Sequence, residues 1–313
     1  MPKHVQPLAA RRAGTYNPPM AYQDLREFVA ALEQAGELRR VTCSVSPVLE
    51  MTEIVRRLQK AGGGPALLFE RPAGYDMPVL MNAFGTDRRM AMALGVQSCD
   101  EIADRIQSLL GFAPPQSLMD KIAALPQLAE LASWLPKAVS KAPCQEVVEE
   151  QPSFASLPVI KCWPEDGGPF LTLPVVVTRS PATGRRNVGM YRMQIYDERC
   201  AAMHWHIHKH GAEHFRELPP GERRLPAAVC LGGDPATIYA STAPVPYGID
   251  EFLFAGFIRK QGVELVNCKT LDLEVPAQSE IVLEGYVDAD DLRMEGPFGD
   301  HTGFYSPPAL YPT

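Results

Sequence analysis

The run NVGMYRMQIY (187–196), followed after the polar break Asp197-Glu198-Arg199 by AAMHWHIHKHG (201–211), decides how this chain is read. Both runs are rich in strand formers, so the spacing predicts a β-hairpin. Side chains alternate faces along a strand. Asn187, Gly189, Tyr191 and Met193 are expected on one face of the first strand, with Val188, Met190, Arg192 and Gln194 on the other. In the second strand His204, His206, His208 and His210 would share a face, with Trp205 opposite. Five of the seven histidines lie between His204 and His214. Imidazole titrates near neutrality and is the commonest metal ligand. The plain reading of such a stripe is a polar sheet face wetted by solvent; five together mark a candidate site.

The rest of the chain sets limits on that site. At 313 residues it exceeds the usual single domain, so two are expected. A hydrophobic share of 46% suits packed cores. A net charge of -7 without a long basic run argues against nucleic acid as a partner. No apolar run approaches the roughly 18 residues of a membrane span. The first 20 residues carry Arg11-Arg12 but no apolar core of a signal peptide, and read as a disordered tail. Seven scattered cysteines without a Cys-x-x-Cys pair fit reduced thiols in a cytoplasm.

Residues 21–140 read as an α/β domain with a helical linker. Asp24 can cap a helix carrying Leu25, Phe28, Val29 and Leu32 on one stripe. A second stripe, Met51, Ile54, Val55 and Leu58, ends at Gly62-Gly63-Gly64. No Gly-Lys-Ser/Thr follows, so these glycines read as a helix stop rather than a phosphate loop. Strands are predicted at 66–70 and 78–81, and helices at 88–94, 101–110 and around Ile122 and Leu131. From 141 to 313 short strands dominate: 173–178, 187–196, 201–208, 227–231, 263–267 and 281–287. Helices are expected near 212–218 and 249–260. That texture suggests a small barrel or sandwich.

Three features carry chemistry. One is the histidine strand with Asn187 and Arg192 beside it. Another is Ala240-Ser241-Thr242-Ala243-Pro244 followed by Glu251. The third is Glu295-Gly-Pro-Phe-Gly-Asp300-His301-Thr-Gly303, whose Gly and Pro residues let the backbone turn closely around a ligand. Two carboxylates near an arginine make a plausible acid/base set, because burial and like charge push their pKa values apart. The plainer reading is a capped turn with solvated acids. A zinc hydrolase is disfavoured, since no His-Glu-x-x-His helix is present.

With Trp163-Pro-Glu-Asp-Gly-Gly-Pro169, Asp234-Pro-Ala-Thr237, Tyr22-x-Asp-Leu-Arg-x-Phe28 and Phe84-Gly-Thr86, these motifs in this order resemble the UbiD family of prenylated-FMN decarboxylases. The likeness covers about 21–305. It implies an α+β fold: an N-terminal α/β domain, then a split β-barrel like that of flavin reductases. It implies that Asn187, His208 and Glu251 hold Mn or Mg against the cofactor phosphate. It also implies that Ala240, Ser241 and Ala243 hold potassium. Met190, Tyr191, Arg192, His204, Trp205, His206, Lys209 and His210 would line the flavin. Arg192, Glu295 and Asp300 would form the catalytic network, with Asp300 the proton donor.

The implied substrate is a 4-hydroxy-3-polyprenylbenzoate of ubiquinone biosynthesis, with a prenyl-flavin synthase supplying cofactor. The implied setting is a cytoplasmic homo-oligomer peripheral to the inner membrane. His204, His206 and His210 depart from the Arg, Leu and Gly usual in that branch. Family members also continue well beyond the match to Thr313, with a part that closes the active site. The 313 residues alone are therefore expected to bind cofactor weakly and turn over negligibly. The alternative is a flavin- or metal-binding fragment without catalysis.

Overall fold

The computed structural model describes residues 21–110, 126, 129–246, 248–300 and 302–313. The tail over 1–20, the helix expected around Ile122 and the side chain of His301 lie outside the described residues.

In the N-terminal part, Asp24 accepts from the Glu27 N–H and starts α1 (Leu25–Gln34). Its buried Phe28 and Leu32 pack on a sheet of β1 (Leu38–Val41), β2 (Ala66–Phe69) and β3 (Val79–Met81). β1 runs parallel to β2, and β3 antiparallel to it. α2 (Glu50–Lys60), α3 (Asp87–Ala93) and α4 (Asp100–Leu110) complete this part. Gly62, Gly63 and Gly64 all have positive φ and end α2. Arg89 is fully buried and donates to Gly64 O, Asn82 O and Glu37 Oε2. This guanidinium pins the triple-glycine turn, which acts as a helix stop.

Beyond Lys137 the chain is β-rich: β4 (Lys137–Ala138), β5 (Phe170–Leu171), β6 (Val175–Arg179), β7 (Arg186–Met190), β8 (Met193–Ile195), β9 (Ala201–Met203), β10 (Arg224–Leu231), β11 (Glu264–Asn267), β12 (Glu274–Pro276), β13 (Ile281–Asp288), β14 (Leu292–Glu295), β15 (Phe298–Gly299), β16 (Tyr305–Ser306) and β17 (Ala309–Pro312). Among the described residues α5 (His210–Arg216), α6 (Pro235–Ala240) and α7 (Glu251–Arg259) interrupt them. The central sheet, ordered β13-β10-β6-β7, is antiparallel and covered on both faces. Val175 and Val177 face Val188, Phe252 and Leu265; Val176, between them, faces Tyr191, Trp205 and Val287. Fully burying a side chain such as Phe252 contributes roughly 2 kcal/mol. The strands form separate sheets of two to four members, so the fold is mixed α and β.

The hairpin across 197–199 is present: β8 pairs antiparallel with β9, Met193 opposite Met203. Its surroundings differ from the expectation in two ways. The run 187–196 is two strands, because the chain leaves the central sheet at Tyr191-Arg192 and joins the β5-β8-β9 sheet. The run 201–208 is a strand only to Met203; residues 207–208 form a turn and His210 opens α5. The four histidines therefore do not line one strand face. The helix expected at Glu251 is present, and one further helix was not expected. Asp250 accepts from Phe252 N–H and starts α7 at Glu251, and Asp234 caps the unforeseen α6.

Candidate active site

Asn187 is buried on β7, opposite Thr178 in register. Its Nδ2 donates to Tyr191 Oη at 3.3 Å and to Thr178 Oγ1 at 3.5 Å. Thr178 Oγ1 lies 3.0 Å from His214 Nδ1, and Gly211 N–H donates to Tyr191 Oη. The close turn of Tyr191 requires Gly189. A Cβ there would sit 2.4 Å from the tyrosine ring.

Glu251 belongs to the same place. Its Oε2 accepts from Val188 N–H at 3.1 Å, and burial pushes its carboxyl up to about 7. Asn187 and Glu251 both line a cavity of about 30 Å³, with Arg185, Arg186, His210, His214 and Gly248. That is room for a single ion or a water or two. Arg186 pairs with Asp250 at 2.6 Å and Glu274 at 2.8 Å, holding the start of α7 against β7.

His208, the expected third ligand, does not line this cavity. It stands on the exposed turn after β9, its ring stacked on His206 at 5.6 Å. The physical reason is the early end of the strand, which carries the residue outward. Among the described residues no three His, Cys, Asp or Glu side chains are gathered for a metal. Ala240 O, Ser241 O and Ala243 O accept from Ala243, Met190 and Val245 N–H groups. Each carbonyl retains a second lone pair.

A second cluster joins both halves of the β-rich part. Arg192 Nε donates to Glu295 Oε1 at 3.1 Å, and its guanidinium lies 4.1 Å from the Phe298 ring centre. His204 Nδ1 lies 2.9 Å from Glu295 Oε2. Glu295 is 1% exposed. Burial pushes its carboxyl up, but the His204 hydrogen bond and the Arg192 charge outweigh that and hold it below its ordinary value. A guanidinium on one carboxylate oxygen and an imidazole on the other satisfy a group that would otherwise be costly to bury.

The acid loop is fastened from beneath. Gln194 Oε1 accepts from Gly296 N–H, and Asp166 accepts from Gly299 and Trp163 N–H groups. Asp300 is exposed beyond β15, its N–H donating to Phe304 O. The other expected flavin neighbours divide. Tyr191 and Trp205 are core side chains, packed edge to face at 6.1 Å. Met190 and His210 are half-buried, and His206 and Lys209 exposed. Sequence reading missed Thr178, His214, Gln194 and Asp166 as members of the site. His214 was within the histidine cluster, and Asp166 within the quoted Trp163 motif; Thr178 is found only through strand register.

Comparison with known proteins follows this geometry. Residues 137–313 match the model of the 3-octaprenyl-4-hydroxybenzoate carboxy-lyase Rift-related domain, and 29–109 match that enzyme's N-terminal domain. An uncharacterized protein of Archaeoglobus fulgidus is 56% identical over 94% of this chain, and one of Aquifex aeolicus 45% identical over 93%. The UbiD-class enzyme HmfF from Pelotomaculum thermopropionicum, solved in complex with FMN, superposes with TM-score 0.78 at 31% identity over 92% of this chain and 60% of its own. Vanillic acid decarboxylase from Sedimentibacter hydroxybenzoicus gives 0.79 at 29% identity, covering 93% of this chain and 60% of that one. The chain spans 60% of the length of each of the two sequence relatives. Both family domains are matched in order, and the second holds the Asn187–Glu251 and Arg192–Glu295 clusters: this chain belongs to the UbiD family.

Proposed function

We propose that this chain is the cofactor-binding and catalytic portion of a carboxy-lyase that removes carbon dioxide from an aromatic acid with prenylated FMN. The observation that carries the reading is the buried Glu295 held between Arg192 and His204 within a matched UbiD domain. We read residues 21–140 as the N-terminal domain and 141–313 as a split β-barrel.

The donor chemistry fits the group. An amide oxygen from Asn187 and a carboxylate from Glu251 suit Mn or Mg, and an ion there would offset both the buried acid and a cofactor phosphate. Potassium would take the remaining lone pairs of Ala240, Ser241 and Ala243. Met190, Arg192, His204 and Lys209 would hold the flavin. When bound, prenylated FMN supplies the electron sink for carbon–carbon cleavage. Arg192 orients the carboxylate of the acid. Glu295 and Asp300 hold and deliver the proton that replaces carbon dioxide, and Phe170 and Phe298 keep water away from the guanidinium.

We take the substrate as a 4-hydroxy-3-polyprenylbenzoate of ubiquinone biosynthesis, and the working enzyme as a homo-oligomer peripheral to the membrane that receives its cofactor from a prenyl-flavin synthase. A smaller hydroxybenzoate such as vanillic acid is the second reading, favoured by the name of one structural neighbour. The test is carbon dioxide release by the full-length protein co-expressed with the synthase and offered both acids. Release from the prenylated acid, lost in Asp300→Asn, supports the first reading. Release only from vanillate supports the second, and none from either overturns the enzyme reading.

A further inference from the structure

Losing carbon dioxide leaves an electron pair on the carbon that carried it, and that carbon takes a proton: R–COO⁻ + H⁺ → R–H + CO2. Each turnover therefore draws one proton from solvent. Glu295, at 1% exposure, is shielded from water. The histidine beside it is the bridge. His204 Nδ1 lies 2.9 Å from Glu295 Oε2, and its Nε2 lies 3.2 Å from Nε2 of His206, whose ring is exposed. The two nitrogens lie at opposite edges of one imidazole, so a single ring spans the buried carboxyl and the surface. The His204 and His206 rings are perpendicular, with centroids 4.6 Å apart. Tyr311 of β17 covers the His204 ring at 4.6 Å, and Arg192 flanks Glu295 from the other side.

We propose that His204 is a proton relay that recharges Glu295 from solvent, a role that rests on the decarboxylase reading above. With Glu295 ionised, His204 donates its Nδ1–H to Oε2, which leaves Nε2 as the acceptor facing outward. A proton arriving at Nε2 from the exposed side, where His206 stands, releases the Nδ1 proton to Glu295. Glu295 passes it toward the site and returns to carboxylate. Loss of the Nε2 proton to solvent and uptake of another at Nδ1 restore the starting tautomer. The charged and titratable groups facing this ring are Glu295 from β14, Arg192 after β7, Tyr311 from β17 and His206 from its own segment.

The test has two arms. In the cofactor-free chain labelled with ¹⁵N-histidine, we expect a nitrogen–nitrogen scalar coupling between His204 and His206, and a downfield His204 Nδ1–H signal that is lost in Glu295→Ala. In the full-length protein loaded with prenylated FMN, His204→Ala should slow carbon dioxide release about 100-fold, the scale of a lost proton-transfer group, with KM little changed. Added imidazole should restore part of that rate, while His204→Gln should not recover it. An undiminished rate in His204→Ala, or a loss that imidazole leaves untouched, overturns the relay. So does the absence of both the coupling and the Nδ1–H signal, whatever the activity. Full-length wild-type protein that binds the flavin and releases no carbon dioxide overturns the enzyme reading instead, and the labelled-histidine arm still decides whether His204 links Glu295 to His206.

Discussion

Arg192 and Glu251 make opposite demands on their surroundings. Arg192 relieves a buried carboxylate; removing it in Arg192→Ala leaves Glu295 with His204 alone. Breaking such a pair should cost about 3 kcal/mol in denaturant unfolding and raise the Glu295 pKa, with the fold retained by circular dichroism. Glu251 is a carboxyl whose burial is less compensated, which pushes it up to about 7. An acid whose folded pKa lies above its unfolded one binds more protons when folded, so stability is lost as pH rises from about 4.5 to about 7. Without metal, Glu251→Gln should therefore raise stability by about 1–3 kcal/mol at pH 8 and change it little at pH 4. A melting temperature that drops equally at both values would refute this. Manganese should reverse the order, protecting wild type above pH 7 and leaving Glu251→Gln unmoved.

At the scale of elements, the break between β7 and β8 does the positioning. Met190 N–H bonds to Ser241 O, and the next residue turns back over Gly189. A methyl at Gly189 meets the Tyr191 ring, whose hydroxyl also accepts from Asn187 Nδ2 and Gly211 N–H. Gly189→Ala should then cost about 2 kcal/mol and loosen both Asn187 and α5; a high-resolution structure with Tyr191 unmoved would contradict this. The Asp250 cap of α7 is a smaller lever. Asp250→Ala should cost about 1–2 kcal/mol, because it removes the cap and one partner of Arg186. Period-2 alternation correctly separated Val188 and Met190 from Tyr191 and Met193. It failed beyond Met203, where an apolar-polar run continues in the sequence but no neighbouring strand accepts it. Alternation states which way a side chain faces only while a ladder persists.

Across the whole molecule, α1 meets the β-rich part through Arg26 and Glu280, and Arg105 of α4 donates to the carbonyls of Phe257 and Ile258 at the end of α7. The cofactor question is tested at this scale: protein made alongside a prenyl-flavin synthase should carry flavin absorbance, and a chelator should deplete it. Absorbance indifferent to chelation would sink the metal-bridge proposal. By itself the sequence determined the mixed α and β order, the hairpin at 197–199, the helix stop at Gly62 to Gly64 and the ordered motifs of the family. These rest on local causes: capping, turn chemistry and side-chain period. Only the tertiary structure decided that Asn187 and Glu251 share one cavity, that His208 does not line it, and that His204 bonds Glu295 across 91 residues of chain. Those outcomes depend on strand register, on where a ladder ends and on which charges the core leaves paired, and no short-range pattern encodes them.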